Sequence, residues 1–114
     1  MLFIIMSNAI KAGQYAVIFT SKRSSIDSAG YSLMAEKMDR LVSAQPGYVS
    51  HSSVRDNDGI GITVSYWDSL DAIRAWKGIQ DHQEAQAKGK STWYSDYEIV
   101  ICRIERRYGL EKVK

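Results

Sequence analysis

The chain has 114 residues, with 15 Lys+Arg against 13 Asp+Glu and a net charge of +2. Apolar residues make 45% and charged residues 25%, ordinary values for one folded domain, which exclude a disordered chain, a collagen and a coiled-coil rod. Seven Tyr, three Trp and two Phe exceed what a modest core needs and point to a pocket or an interface.

The chain opens on an apolar run, Leu2 to Met6, which lacks a basic flank and is too short for a signal segment or a membrane span. Residues 1–13 are expected to form a frayed N-terminal arm, 14–109 a single domain, and 110–114 a C-terminal tail. Tyr15 to Arg23 (YAVIFTSKR) reads as a strand covered on both sides, because both of its alternating faces carry apolar residues. Ser24 to Gly30 reads as a polar loop. Tyr31, Met34, Ala35, Met38, Leu41 and Val42 recur at helical spacing, so Tyr31 to Ala44 is predicted to be a helix, stopped by Pro46-Gly47.

Tyr48 to Arg55 and Gly61 to Trp67 are predicted strands joined by Asp56-Asn57-Asp58-Gly59, a turn signal because these residues tolerate positive φ. His51 is expected to be exposed on this hairpin, Arg55 to be a solvated strand-end charge, and Trp67 to staple the next helix. Asp68 or Ser69 suits the cap of a helix from Leu70 to about Lys88, with Gly78 splitting or bending it and Gly89 ending it. Tyr94 to Arg107 is the last strand, in which Cys102 is expected to be buried and inert. The order is βαββαβ, an α+β, ferredoxin-like arrangement with a four-stranded antiparallel sheet and helices on one face. The other face is apolar in places and calls for a cover, which a second protomer supplies most simply; a homodimer is expected.

The lone Cys102 excludes an internal disulfide and a thiolate zinc centre, and with no long apolar run the chain is expected to be cytoplasmic, away from membranes. Basic residues gather only after Arg103, too narrow a patch for a nucleic-acid binder. No metal site is expected from His51 and His82 without carboxylates placed by the fold. Motifs for nucleotide binding, a serine nucleophile or a zinc protease are missing.

The remaining rings gather between Tyr66 and Tyr94, around the second helix. Trp76, Ile79, His82 or Gln83, and Gln86 share a helix face that starts apolar and turns polar, a mix suited to a pocket for a flat, partly polar molecule. His82 is the candidate general base, and Tyr66, Trp76, Gln86, Trp93 and Tyr94 are the candidate substrate-binding residues. Tyr94 or Arg55 is placed to hold a developing oxyanion.

Tyr15-Ala-Val-Ile-Phe-Thr-Ser, Gln45-Pro-Gly-Tyr, Gly61-Ile-Thr-Val-Ser-Tyr-Trp, Ala75-Trp-Lys, His82-x-x-Ala-Gln and the tail from Trp93-Tyr94 to Arg103-Ile-Glu-Arg resemble the antibiotic biosynthesis monooxygenase family over about Gln14 to Gly109. The resemblance implies a dimeric α+β barrel. It also implies a monooxygenase that acts on a small aromatic or quinone-like molecule with dioxygen and no cofactor. Members that bind and degrade haem share a helix tryptophan, here Trp76. Their proximal histidine falls on Gln86 and their strand asparagine on the Thr20-Ser21-Lys22 stretch, so a haem role is the weaker expectation. A non-catalytic small-molecule binding or stress-response role uses the same pocket.

Overall fold

Apolar side chains that alternate along the strands and recur every three to four residues along the helices bring the chain into a sheet with helices on one side. The computed structural model describes residues 2–3, 9–87 and 90–110. The elements run β1 (Leu2–Phe3), β2 (Tyr15–Arg23), α1 (Ser28–Ser43), β3 (Tyr48–Arg55), β4 (Ile60–Trp67), α2 (Leu70–Ala87), α3 (Lys90–Trp93) and β5 (Tyr94–Arg103). The antiparallel sheet has the order β1-β3-β4-β2-β5. Strands β2 to β5 with α1 and α2 make the βαββαβ unit and its four-stranded sheet. The short β1 adds to the outer edge of β3, pairing Leu2 with Val54 and Phe3 with Ser53, so this part of the arm joins the sheet instead of fraying.

Helix α1 starts three residues before the predicted position. Asp27 caps it from a left-handed backbone conformation, and its carboxylate accepts from the Gly30 backbone N–H at 3.1 Å. A polar stretch that looks like loop is thus the first turn of a helix. At α2, Ser69 is the cap, its hydroxyl accepting from the Ala72 N–H at 3.1 Å. The helix then runs through Gly78 as one element, because tertiary packing of its apolar face outweighs the roughly 1 kcal/mol that a glycine withholds. Lys88 and Gly89, the predicted end of this helix, lie outside the described residues. The last strand ends at Arg103, four residues short of the expectation.

The core sits between the helices and the sheet face that carries Tyr15 and Val17 of β2. Val42, Trp67 and Ile73 are its buried centre, with Tyr48, Ala72 and Trp76 packed around them. Trp67 is fully buried; its ring meets Tyr48 edge-on at 5.9 Å and stacks on Trp76 at 6.3 Å. It is therefore a centre of the core and more than a staple for α2. Gly47, at φ +82, lets α2 approach the Pro46-Gly47 turn: a Cβ there would stand 2.6 Å from that of Ala72.

The opposite sheet face carries Ile18, Val64 and Tyr66, half-buried, and Val54, Ile62 and Val100, exposed. No helix covers it among the described residues. Cys102, opposite Ala16 on the same face, is exposed and not buried, because β5 is an edge strand and no layer lies over it.

Candidate functional site

The helix-facing side of the sheet is large at its ends and small in its middle. Ser53 on β3 and Thr63 and Ser65 on β4 are neighbours there, with Ser53 and Thr63 hydrogen-bonded through their hydroxyls. Their short side chains cannot fill the gap beneath the helices, and a cavity of about 210 Å³ remains. Met34 and Met38 of α1 and Trp76 of α2 form its roof, and Val17, Phe19 and Ile99 continue its floor. Ile99 and Ile101 stay partly exposed on the edge strand β5, so the cavity opens to solvent along that edge.

Two polar groups face each other across this floor. His51, 7% exposed, has Nδ1 2.5 Å from the Tyr48 hydroxyl and Nε2 3.4 Å from the Asp39 carboxylate. Its burial corrects the expectation of an exposed hairpin histidine. A register shift between Tyr48 and Ser50 breaks the simple alternation, so Tyr48 and His51 both face the helices while Ser50 and Ser52 face away. Tyr48 is held above the usual tyrosine range by burial first and by the Asp39 charge second, so it stays a neutral hydroxyl beside the imidazole.

At the other end stands Arg55, which is anchored and not a solvated charge. Its guanidinium donates to the Gly59 carbonyl at 2.5 Å, to the Ser21 hydroxyl at 2.8 Å and to the Tyr31 hydroxyl at 3.4 Å. It lies over Gly61, its cross-strand neighbour, where a Cβ would stand 2.5 Å from the guanidinium carbon. Tyr31 also carries the Arg23 guanidinium on its ring face at 3.8 Å, a cation–π contact. Tyr94 meets Tyr31 edge-on at 5.9 Å. Its hydroxyl is pushed far above the ordinary range by burial, then by Tyr31 and by the Glu84 charge, against a smaller opposing pull from Arg55. Tyr94 is therefore a hydrogen-bond donor at this end of the cavity and not a base. Buried Glu84 reaches the same end from α2.

Among the residues singled out from sequence, Trp76, Trp93 and Tyr94 line this cavity. Trp93 is buried in the short helix α3, with its indole N–H donating to Asp27 at 3.1 Å. Tyr66 does not line it: paired with Ser50 and Ala16, it points to the uncovered face. His82 does not line it either and is exposed on α2, whose cavity side carries Trp76, Gln80 and Glu84. Gln86 belongs to α2, and its side chain lies outside the described residues. A haem fits this arrangement poorly. The cavity has room for little more than one substituted ring. Among the described residues no group of three His, Cys, Asp or Glu is placed to hold a metal ion, and no helix is long and apolar enough to cross a membrane.

A family model described as antibiotic biosynthesis monooxygenase matches residues 30–88. The uncharacterized protein YqjZ of Bacillus subtilis (strain 168) is 48% identical over 93 residues, covering 82% of this chain and 81% of that protein. Among solved structures, SnoaB, a cofactor-independent oxygenase from Streptomyces nogalater, matches with a TM-score of 0.65 at 19% identity, covering 89% of this chain and 100% of that one. A dimeric ferredoxin-like protein of unknown function from Thermobifida fusca matches with a TM-score of 0.63 at 17% identity, covering 88% of this chain and 100% of that one. At these identities the solved structures share the fold.

Proposed function

Because the chain belongs to the antibiotic biosynthesis monooxygenase family, we propose that it binds a small hydroxylated aromatic molecule between sheet and helices and oxygenates it with dioxygen, without a dedicated cofactor. The observation that carries this reading is a buried imidazole, His51, facing an aromatic-walled cavity across from an anchored guanidinium, Arg55. The proton that must leave the phenol goes to His51 Nε2, where the new positive charge lies beside the Asp39 carboxylate. The phenolate so formed is electron-rich enough to react with dioxygen. A phenol plus dioxygen yields a quinone plus water, with one oxygen atom entering the ring and the other leaving as water, so the balance needs no external electron donor. The shared fold with a cofactor-independent oxygenase supports this chemistry. Oxygen uptake with a panel of hydroquinones and hydroxybenzoates tests it: turnover by the metal-free protein is expected, and no uptake with any member overturns the catalytic reading.

The same reading includes a homodimer through the uncovered sheet face, where Val54, Ile62 and Val100 are exposed on a contiguous apolar surface. The likeness to a dimeric ferredoxin-like protein supports it. Light scattering is expected to return twice the chain mass, and a monomer at micromolar concentration overturns it.

A further inference from the structure

We infer that the cavity selects a single-ring aromatic acid, with a carboxylate on Arg55 and a hydroxyl at the opposite, para position on His51. The inference rests on the proposed binding of a hydroxylated aromatic in this cavity and names its class. Three observations carry it.

The first is size. A buried apolar cavity of about 150 Å³ accommodates benzene, and the cavity here measures about 210 Å³. That leaves room for one ring with two small substituents, and a fused three- or four-ring system would have to project through the opening along β5.

The second is charge. Arg55 donates to a carbonyl and two hydroxyls, all neutral acceptors, and has no carboxylate partner among the described residues. A half-buried guanidinium held in place by neutral groups is prepared for an anionic one, because a charge-assisted pair is about twice as strong as a neutral hydrogen bond. The acids that line the cavity offset only part of the positive charge at this end. Lys77 pairs with Asp81 at 2.9 Å, and Asp39 stands at the His51 end. Glu84 faces Tyr94 from α2 and is one acid at an end that holds both Arg55 and the nearby Arg23. Asp39 also fixes the orientation, since its charge repels a ligand carboxylate from the imidazole and leaves that end to the hydroxyl.

The third is length. His51 and Arg55 stand four residues apart on one face of β3, about 13 Å along the strand. Arg55 bends sideways over Gly61, across the strand direction, so its head does not shorten that gap. A ring resting over Ser53 and Thr63 reaches both ends only when its two polar substituents lie opposite each other, each closing the span with a hydrogen bond of about 2.8 Å.

Calorimetric titration of the intact protein with 4-hydroxybenzoate, 3-hydroxybenzoate, phenol, hydroquinone and anthrone tests the assignment. The wild-type protein is expected to bind 4-hydroxybenzoate at least tenfold more tightly than the 3-isomer or phenol, and to bind anthrone least. In Arg55→Gln the advantage over phenol is expected to vanish while phenol binding persists. Equal binding of phenol and 4-hydroxybenzoate by the wild-type protein overturns the acid preference yet leaves aromatic binding standing. Tighter binding of anthrone overturns the size limit. No binding of any probe removes both this inference and the reading beneath it. The wild-type comparisons decide the matter if Arg55→Gln does not fold.

Discussion

Trp67→Ala is expected to lower the unfolding free energy by about 3–5 kcal/mol, read as a lower midpoint in urea. Trp67 ends β4 and lies opposite Tyr15 on one side and Tyr48 on the other. No part of it reaches solvent. Its indole N–H donates to Ser65 at 2.9 Å, so the polar end of the ring is satisfied inside the core. Alanine removes the stack on Trp76, the edge contact with Tyr48 and the Ser65 hydrogen bond together. With a total stability of about 5–15 kcal/mol for such a domain, the variant loses a large share of it. Trp67→Phe keeps a ring in the slot and is expected to lose less than half as much. Equal losses in the two variants would sink the view that ring packing dominates. Because Trp76 is also the roof of the cavity, any Trp67 variant that folds is expected to loosen ligand selection as well. The core and the site share a wall.

The strand and helix periods of the sequence carry the architecture because they repeat over many residues, and one uncertain position does not disturb them. The site depends on phase, and a single residue changes it. On α2 the apolar residues Ile73 and Trp76 place that face correctly, but His82 follows Trp76 by six residues, about 240° around the helix. Gln80 and Glu84, four and eight residues after Trp76, stay on its side and supply the polar groups facing inward. On β3 the extra residue near Tyr48 makes alternation misleading, since Tyr48 and His51 look opposed in sequence and share a hydrogen bond in the fold. Tyr66 fails for the opposite reason: strict alternation with Trp67 already sends it to the other face. A usable signal was present in the run of Ser53, Thr63 and Ser65. Small polar residues at adjoining places on an otherwise apolar sheet face leave a gap that the neighbouring helices cannot fill. Arg55 gives a similar signal, standing across the hairpin from Gly61, where the missing side chain leaves space for its guanidinium.

His51→Gln is expected to reduce the oxygenation rate by about 10²–10⁴-fold, the usual effect of losing a positioned general base, with little change in melting temperature. Glutamine nearly matches the volume of the imidazole and keeps a hydrogen-bonding group for the Tyr48 hydroxyl, which burial holds neutral. It cannot take a proton from a phenol. The rate loss then reports proton transfer and not a collapsed cavity, whereas His51→Ala would leave Tyr48 without its partner and mix the two effects. His82→Ala is the matched control, since His82 is exposed on α2 and lies outside the cavity lining. An ultraviolet titration separates binding from deprotonation: the wild-type protein is expected to shift a bound phenol toward its phenolate spectrum at neutral pH, and His51→Gln to bind the same phenol without that shift. The reverse pattern, with full phenolate formation in His51→Gln and its loss in His82→Ala, would return the proton to the helix histidine. It would require α2 to rotate by about a third of a turn from the packing in which Ile73 is buried and Trp76 stacks on Trp67. The core contact that makes Trp67 costly to remove therefore also holds His82 outside the cavity and leaves the imidazole of β3 as the one that lines it.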